Sequence, residues 1–254
     1  PWLLAFTATW QLDPAAVETL TQQPNWPDDN NKFLATSMLL PAIQRLSGLN
    51  QIWQQAGLYP AQVLPVSSRT TNAVLDRLAA VAPVIRAEPN QPLVTVIVPL
   101  FNAAATISTA LRSLLQQSWS ALEILVVDDG STDDSAAIVS MLAAEDSRIR
   151  LLQQSNSGAY VARNLAMRHA QGEFITTHDA DDWSHPQKIE LQVKALLEQP
   201  SYMASVSHWV RCSADLEFQH WRVEDGWIYR NVSSLLFRRT VHQPLGFWDR
   251  VSVN

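Results

Sequence analysis

The chain has 254 residues, of which 47% are hydrophobic and 17% are charged, and its formal net charge is -6. This composition is typical of a globular protein with a sizeable core, and it excludes a disordered or fibrous chain. The acidic residues are spread along the chain, whereas a protein that binds phosphate backbones is expected to carry a basic patch, so we expect no nucleic-acid partner.

Nothing in the sequence predicts a membrane anchor or a secretory route. No apolar run approaches the roughly 18–20 residues that a membrane-spanning helix needs. The chain begins at Pro1, where nothing resembles a signal peptide. Cys212 is the only cysteine, so no intrachain disulfide can form, which fits a reducing cytoplasm. We therefore expect a cytoplasmic protein, with peripheral association at the inner membrane face as an alternative, and a sequence that is a fragment of a longer chain.

Residues 1–90 are predicted to form a small helical domain that precedes the rest of the protein. Prolines break this region into short pieces, and its polar residues show no catalytic arrangement. Its tryptophans are interpreted as core, with a partner or acceptor surface as the alternative. A linker is predicted at residues 87–92, which are polar and carry two prolines. Helical spacing joins two sets of apolar residues, namely Leu39, Ile43, Leu46 and Leu49, and Val74, Leu75, Leu78 and Val81.

From residue 93 onward, apolar strands alternate with amphipathic helices. Strands are predicted at residues 93–98, 122–127, 148–152 and 173–177, with helices between them and a further strand at 203–212. Ser131 is predicted to begin the helix after the second strand, and Ser184 the helix after the fourth. This alternation predicts a mostly parallel twisted sheet with helices on both faces, in which ligands bind outside the carboxyl ends of the strands.

Polar residues follow three of the predicted strands. The sequence reads Pro-Leu-Phe-Asn at 99–102, Asp-Asp-Gly-Ser at 128–131 and Asp-Ala-Asp-Asp at 179–182. The carboxylates of the last two should face a shared crevice and repel one another. A hard divalent ion such as Mg²⁺ or Mn²⁺, held by one or two carboxylates plus phosphate oxygens, would offset that repulsion. Two alternatives stay open, an ordinary turn with a helix cap and a phosphoryl-accepting receiver domain.

These three strings, together with Ala-Arg-Asn at 162–164, resemble family 2 glycosyltransferases over residues 92–249. The resemblance is strongest to bacterial members that assemble surface polysaccharides. It implies an A-type glycosyltransferase fold, which is Rossmann-like. It also implies a hexosyltransferase that moves a sugar from a nucleotide-diphosphate donor, with a UDP-sugar expected, to a saccharide or lipid-linked acceptor with inversion.

The resemblance also implies roles for particular residues. Asp179 and Asp181 would hold Mn²⁺ or Mg²⁺ at the donor diphosphate, whereas His178 and His185 are less favoured ligands because hard ions prefer oxygen. Asp182 would stand beside the metal ligands or cap the next helix. The implied nucleotide-sugar-binding residues are Pro99, Phe101, Asn102, Asp128, Asp129, Arg163 and Asp179, with an ordinary salt bridge as the alternative for Arg163.

The catalytic base is expected beyond Asn254. In the resembled family an acidic residue on the acceptor side deprotonates the attacking hydroxyl, and this residue comes after a segment similar to residues 233–249. Asp249 is a weak candidate within the chain, with Glu224 and Asp225 as further candidates.

A non-catalytic nucleotide-sugar-binding or partner-docking module is the alternative from another functional class. It would keep the donor cleft and bind nucleotide without transferring sugar. A nucleotidyltransferase is disfavoured because no glycine-rich basic loop follows the first strand. A dinucleotide-dependent dehydrogenase is disfavoured because no Gly-x-Gly-x-x-Gly occurs.

Overall fold

The computed structural model describes residues 29–66, 73–81, 90–219, 227–241 and 248, except for the side chains of 29, 231 and 232. Chain contacts divide the protein into two compact units. The first comprises Pro1–Pro83 and His208–Asn231, and the second comprises Val84–Ser207 and Val232–Asn254. The segment 208–231 thus groups with the N-terminal part, which no pattern in the sequence indicated, and the boundary near residue 90 stays a prediction.

The regular elements of the described residues are numbered in chain order. The helices are α1 (Asp29–Thr36), α2 (Ala42–Gln55), α3 (Ile107–Leu115), α4 (Ser135–Glu145), α5 (Ala159–His169) and α6 (Lys188–Glu198). The strands are β1 (Ala61–Val63), β2 (Leu78–Ala80), β3 (Val94–Leu100), β4 (Leu122–Asp128), β5 (Ile149–Gln153), β6 (Phe174–Thr177), β7 (Ala204–Trp209), β8 (Arg211–Cys212), β9 (Phe218–Gln219) and β10 (Tyr229–Arg238). Short 3₁₀ segments lie at Ser37–Leu39, Leu75–Arg77 and Arg239–Val241.

The first unit is built around a small core that contains helix and strand residues. Helix α2 buries Leu46 and Leu49, as its spacing predicted, while Ile43 is 63% exposed. The second predicted helix is wrong, because the chain forms the 3₁₀ turn Leu75–Arg77 and then β2, which pairs antiparallel with β1. A short apolar run does not distinguish a helix from a strand, and pairing with β1 satisfies the backbone here. The buried core residues are Leu34, Ala35, Leu49, Phe218 and Trp227.

The second unit contains a six-stranded sheet in the order β5-β4-β3-β6-β10-β7. Strand β3 pairs in parallel with β4 and β6, and β4 pairs in parallel with β5. Strand β10 adds to β6 in the antiparallel direction. The predicted mostly parallel sheet is therefore confirmed. After β3 the chain forms β4 and β5 on one side of that strand, and it then returns to form β6 on the opposite side of β3.

Both faces of this sheet are covered, which explains why β3 and β4 read as continuous apolar runs. Alternate residues of β3, such as Val96 and Val98, pack with residues of α3, α4 and α6 in one core cluster. Ile97 faces the other way and belongs to a second cluster with Ala162 and Ala166 of α5. A parallel sheet buried on both faces is the arrangement that the alternating pattern predicted.

Two predicted helix caps are wrong. Helix α4 begins at Ser135 and helix α6 at Lys188, each four residues after the predicted capping serine. The Ser131 hydroxyl instead accepts a hydrogen bond from the backbone N–H of Asn102 at 3.0 Å. The backbone N–H of Ser184 donates to the Ser113 hydroxyl at 3.1 Å. Both serines are used by tertiary hydrogen bonds, which a local capping pattern cannot reveal.

None of the helices in the described part of the chain has the length and apolar character to cross a bilayer.

Candidate functional site

The candidate site lies at the carboxyl ends of β3, β4 and β6. Strand β3 stands between the other two, at the point where the chain reverses its direction across the sheet. In register, the last residue of β3 is opposite Asp128 of β4, while Thr177 at the end of β6 is opposite Ile97. Open α/β sheets bind ligands at such a switch point. The three predicted polar strings therefore leave neighbouring strands at one edge of the sheet.

The loop after β3 is tied to the loop after β4. Asn102 has a φ of 47°, in the left-handed region that asparagine tolerates better than most residues. Its side-chain oxygen accepts a hydrogen bond from the backbone N–H of Thr132 at 2.8 Å. Phe101, one residue earlier, is 50% exposed, and Pro99 is partly buried within β3. Asn102 thus fixes the conformation of the loop, and the neighbouring Phe101 ring is exposed to solvent.

Asp128 and Asp129 are both buried but serve different parts of the site. The carboxylate of Asp128 closes its own turn by accepting a hydrogen bond from the backbone N–H of Ser131 at 3.0 Å, and it also accepts one from Gln153 at 3.2 Å. This turn includes Gly130, whose φ of 77° suits glycine. Asp128 therefore shapes the turn, and its part in nucleotide-sugar binding stays a prediction.

Asp129 reaches across to the loop that precedes α5. One carboxylate oxygen accepts hydrogen bonds from the side chain of Gln154 at 2.7 Å and the backbone N–H of Ser157 at 2.8 Å. The other accepts one from the backbone N–H of Gly158 at 2.7 Å. A carboxylate at the N-terminus of a helix is favoured by its unpaired N–H groups and its dipole. Asp129 thus positions the start of α5. The carboxylate oxygen that accepts only from Gly158 can accept a further hydrogen bond.

Helix α5 also contacts the acidic loop, which we define as residues 179–182. The guanidinium of Arg163 donates to the carboxylate of Asp179 at 3.1 Å and lies over the ring of Tyr160, 5.5 Å from its centroid. The Nε atom of Arg163 is buried and has no hydrogen-bond partner in the described structure. Arg163 therefore makes the salt bridge that was its alternative interpretation, and this bridge joins α5 to the predicted nucleotide side.

Asp181 is the residue of the acidic loop that stays open to solvent. Its side chain is exposed and makes no hydrogen bond or ion pair with the described residues. Among those residues, no group of three or more histidine, cysteine, aspartate or glutamate side chains is arranged to hold a metal ion. The donor chemistry nevertheless fits, because Mg²⁺ is commonly bound by one or two carboxylates with phosphate oxygens completing its shell. Asp179 and Asp181 are the side chains that would supply those oxygens.

The two histidines beside the acidic loop are used within the protein. His178 is 2% exposed, and its Nδ1 lies 2.9 Å from the carbonyl oxygen of Asp179, so this nitrogen carries the proton. Burial and the nearby Lys188 charge lower the pKa of His178 to about 3. The Nδ1 of His185 accepts a hydrogen bond from the backbone N–H of Gln187 at 3.2 Å. Metal ligation by either histidine stays the less favoured interpretation.

Lys188 is a site residue that the sequence did not single out. It is the first residue of α6, and its ammonium donates to the hydroxyl of Ser184 at 3.2 Å. Burial lowers the pKa of Lys188 to about 8, against the opposing effect of the Asp182 and Asp179 carboxylates. Its position six residues after the acidic loop was the available signal. That signal is weak, because lysine is common on helix surfaces in general.

Asn164 is a second residue whose part in the site was missed. Its side-chain amide donates to the carbonyl oxygen of Trp248 at 2.8 Å and accepts from the N–H of Trp248 at 2.9 Å. The helix that holds Asp179 through Arg163 thus also holds the chain at Trp248. Asn164 belongs to the Ala-Arg-Asn string, but it lies 84 residues from Trp248, so the sequence does not predict this contact.

Three candidates for the catalytic base lie outside the described residues, namely Glu224, Asp225 and Asp249.

Comparison with known proteins identifies the family. The glycosyl transferase family 2 model matches residues 95–246, which is more than half of the chain. The protein therefore belongs to glycosyl transferase family 2, and its α/β sheet is that of the A-type glycosyltransferase fold. The matched region begins in β3 and includes the three polar strings, Arg163 and Lys188.

Bacterial relatives are similar over about half of this chain. The Escherichia coli protein YibD, an uncharacterised glycosyltransferase, is 36% identical over 146 residues, which is 58% of this chain and 40% of YibD. The Bacillus subtilis protein TuaG, a putative teichuronic acid biosynthesis glycosyltransferase, is 39% identical over 110 residues, or 43% of this chain and 44% of TuaG. The matched regions are thus less than half the length of either relative.

Solved structures give only a distant likeness. A mannosyltransferase from Pyrobaculum calidifontis, in complex with GDP-Man and Mn²⁺, is 22% identical with a TM-score of 0.49, covering 87% of this chain and 59% of that one. Staphylococcus aureus TarS in complex with UDP-GlcNAc is 29% identical with a TM-score of 0.41, covering 44% of this chain and 33% of TarS. The assignment of fold and family does not depend on these two likenesses.

Proposed function

We propose that this chain binds the nucleotide-sugar donor of a glycosyltransferase that moves the sugar to a saccharide or lipid-linked acceptor. The observation that carries the proposal is that helix α5 contacts both acidic motifs, the one after β4 and the one after β6. Asp129 holds its N-terminal loop, and Arg163 on the same helix holds Asp179. A family 2 chain with this arrangement at the sheet's switch point has the parts of a donor site.

The nucleoside would lie over the loops after β3 and β4. The half-exposed ring of Phe101 can stack on a base, and Pro99 would line the same pocket. The remaining lone pair of Asp129 can accept a hydrogen bond from a base N–H, as uracil or guanine would provide. Among nucleotide donors we expect a UDP-sugar.

The diphosphate would lie at the acidic loop. A divalent ion bound there would neutralise the charge that develops on the departing diphosphate. Asp181 is free to turn toward such an ion, whereas Asp179 is fixed by Arg163 and would face the ribose side. The expected cofactor is Mn²⁺ or Mg²⁺, because both protein donors are carboxylates.

Transfer with inversion requires a base on the acceptor side, and none of the described residues is proposed for that role. A lipid-linked acceptor would bring the enzyme to the inner face of the membrane from the cytoplasm. Acceptor and localisation belong to the proposal and rest on the family.

The test is calorimetric titration of UDP, GDP, CDP and dTDP with and without Mn²⁺, using the wild-type chain and Asp181→Asn. We expect one nucleotide to bind with Mn²⁺, and the variant to lose about tenfold or more of that affinity because a metal-directed carboxylate becomes a neutral amide. Asp134→Asn is the matched control, since Asp134 is exposed and its side chain makes no capping bond.

Two outcomes would contradict the proposal. Equal metal dependence in wild type and Asp181→Asn would remove Asp181 from the metal site. Failure of every nucleotide to bind would favour a partner-docking module in place of a donor site.

A further inference from the structure

The guanidinium of Arg163 has few partners for a cation that is largely buried. Its side chain is 15% exposed, and within the described structure it donates a hydrogen bond to the carboxylate of Asp179 at 3.1 Å. Its Nε is buried and has no hydrogen-bond partner among the described residues. A guanidinium carries five N–H donors, and leaving buried donors unpaired opposes burial. A further contact is therefore needed to keep Arg163 beside Asp179.

The ring of Tyr160 provides that contact. Tyr160 precedes Arg163 by three residues on α5, a spacing that places two side chains next to each other on a helix. The guanidinium carbon lies 5.5 Å from the ring centroid, within the range of an attractive contact between a cation and an aromatic face. The tyrosine hydroxyl makes no hydrogen bond with the described residues. The ring is thus the part of Tyr160 that acts on Arg163.

The position of Tyr160 is fixed by the start of α5. Helix α5 begins at Ala159, directly after Gly158. The backbone N–H of Gly158 donates to the carboxylate of Asp129 at 2.7 Å, which ties the start of the helix to the loop after β4. One turn further along, α5 contacts the acidic loop. A single helical turn therefore connects Asp129 with Asp179, and Tyr160 lies within it.

We propose that Tyr160 is a positioning residue of the donor site, which holds Arg163 against Asp179 through its aromatic ring. This inference rests on the proposed function, in which Asp179 faces the ribose of the donor. Tyr160 acts through Arg163 and touches no reacting atom. Without the ring, Arg163 samples other rotamers, and the Asp179 carboxylate loses the partner that fixes it. The donor must then order this carboxylate as it binds, which weakens its affinity.

The first measurement detects the contact without nucleotide or metal ion. Proton–nitrogen NMR spectra resolve arginine Nε–H groups, and the Arg163 signal is assigned by its absence in Arg163→Gln. The rate at which this buried N–H exchanges with solvent reports how often the side chain leaves its place. In Tyr160→Ala the exchange should be about threefold to fivefold faster, which is the factor that a partly exposed cation–aromatic contact contributes.

Two variants serve as controls. Tyr160→Phe keeps the ring, so its Arg163 Nε–H should exchange as it does in wild type. Tyr202→Ala removes an exposed tyrosine that lies after α6 and should also leave the exchange rate unchanged. Tyr160→Ala is expected to fold, because the side chain is 39% exposed and alanine favours helix. Equal exchange rates in wild type and Tyr160→Ala would overturn the inference.

The second measurement is calorimetric titration, with Mn²⁺ present, of the nucleotide that wild type binds. Tyr160→Ala should weaken the affinity by about threefold to fivefold, and Tyr160→Phe should retain it. Adding Tyr160→Ala to Arg163→Gln should cost less than about twofold more, because Tyr160 acts through Arg163. An equal loss in both backgrounds would contradict the inference, since Tyr160 would then contact the nucleotide directly.

Arg163→Lys replaces Arg163→Gln if the latter does not fold. Lysine keeps the positive charge but has no planar group to lie on the ring. The further loss caused by Tyr160→Ala should again be less than about twofold in this background.

The outcomes separate this inference from the proposed function. Unchanged exchange and unchanged affinity in Tyr160→Ala would overturn the role of Tyr160 and leave the donor site in place. Failure of wild type to bind any nucleotide in the presence of Mn²⁺ would overturn the proposed function, and with it the role of Tyr160 in donor binding, whatever the exchange rates show.

Discussion

His178 lies directly after β6, and its side chain is 2% exposed. The sequence offered it as a metal ligand, because it stands beside Asp179. The structure gives it another task, since its Nδ1–H donates to the backbone carbonyl of Asp179 and its Nε2 is buried without a partner in the described structure. Its neutral ring fixes the backbone where β6 meets the acidic loop.

We predict that this histidine makes stability depend on pH. The pKa of His178 is lowered from 6.5 to about 3 by burial, so between these values the unfolded chain binds a proton that the folded chain does not. Stability is then fully present above pH 6.5 and is lost as the pH falls. From pH 6.5 to 5 the loss should be about 2 kcal/mol.

Urea denaturation of the metal-free chain at several pH values measures this effect. His178→Asn keeps a donor for the carbonyl of Asp179 and should flatten the dependence between pH 5 and 7. His208→Asn is the control, because His208 is exposed on β7. A wild-type curve as flat as that of His178→Asn would contradict the prediction.

The position of Asp129 at the end of a strand could be predicted from the sequence, whereas its contacts could not. The string Asp-Asp-Gly-Ser indicated polar side chains at the carboxyl end of β4, and Asp129 lies there. Its three hydrogen bonds to residues 154–158 could not be predicted, because that loop shows no motif of its own. Its contact with a nucleobase stays a prediction.

At the scale of elements, the strands were easier to predict than the helix starts. Strands β3, β4, β5 and β6 begin and end within two residues of their predictions, because burial on both faces produces continuous apolar runs. Helices α4 and α6 start four residues later than the serine signals indicated. Serine hydroxyls bond to any nearby group, so their use is decided by the packed structure.

Helix α5 is the element on which the site depends most, and its contact with Trp248 can be tested. We predict that Asn164→Ala costs about 2 kcal/mol of stability, because it leaves a backbone N–H and a carbonyl at Trp248 without their partners. Hydrogen exchange at the amide of Trp248 should become faster in the variant.

The control for this change is Asn156→Ala, since Asn156 is exposed in the loop before α5. Its effect on stability should stay within about 0.5 kcal/mol. If Asn164→Ala left the exchange at Trp248 unchanged, α5 would not be what holds this segment.

At the scale of the whole molecule, we predict that donor nucleotide and Mn²⁺ together stabilise the fold. A ligand that binds only the folded state at one hundred times its dissociation constant adds about 2.7 kcal/mol. Thermal denaturation should therefore show a higher melting temperature with both ligands than with either alone. An equal shift with Mn²⁺ alone would contradict the joint binding of metal ion and nucleotide.

The sequence by itself determined the class of sheet, the family and the places where polar residues leave the strands. Strand periods and motif strings are local properties, and local spacing is what a sequence records directly. The two-unit division was not accessible in this way, since it joins residues 208–231 to the N-terminal part across more than a hundred positions.

Only the tertiary structure decided which distant side chains come into contact. Arg163 and Asp179 are 16 residues apart, Asn164 and Trp248 are 84 apart, and neither pair has a spacing that predicts contact. The burial that lowers the pKa of Lys188 depends likewise on how α6 packs. Side-chain partners across elements depend on how the elements pack, and packing is decided by the whole core rather than by any short stretch of sequence.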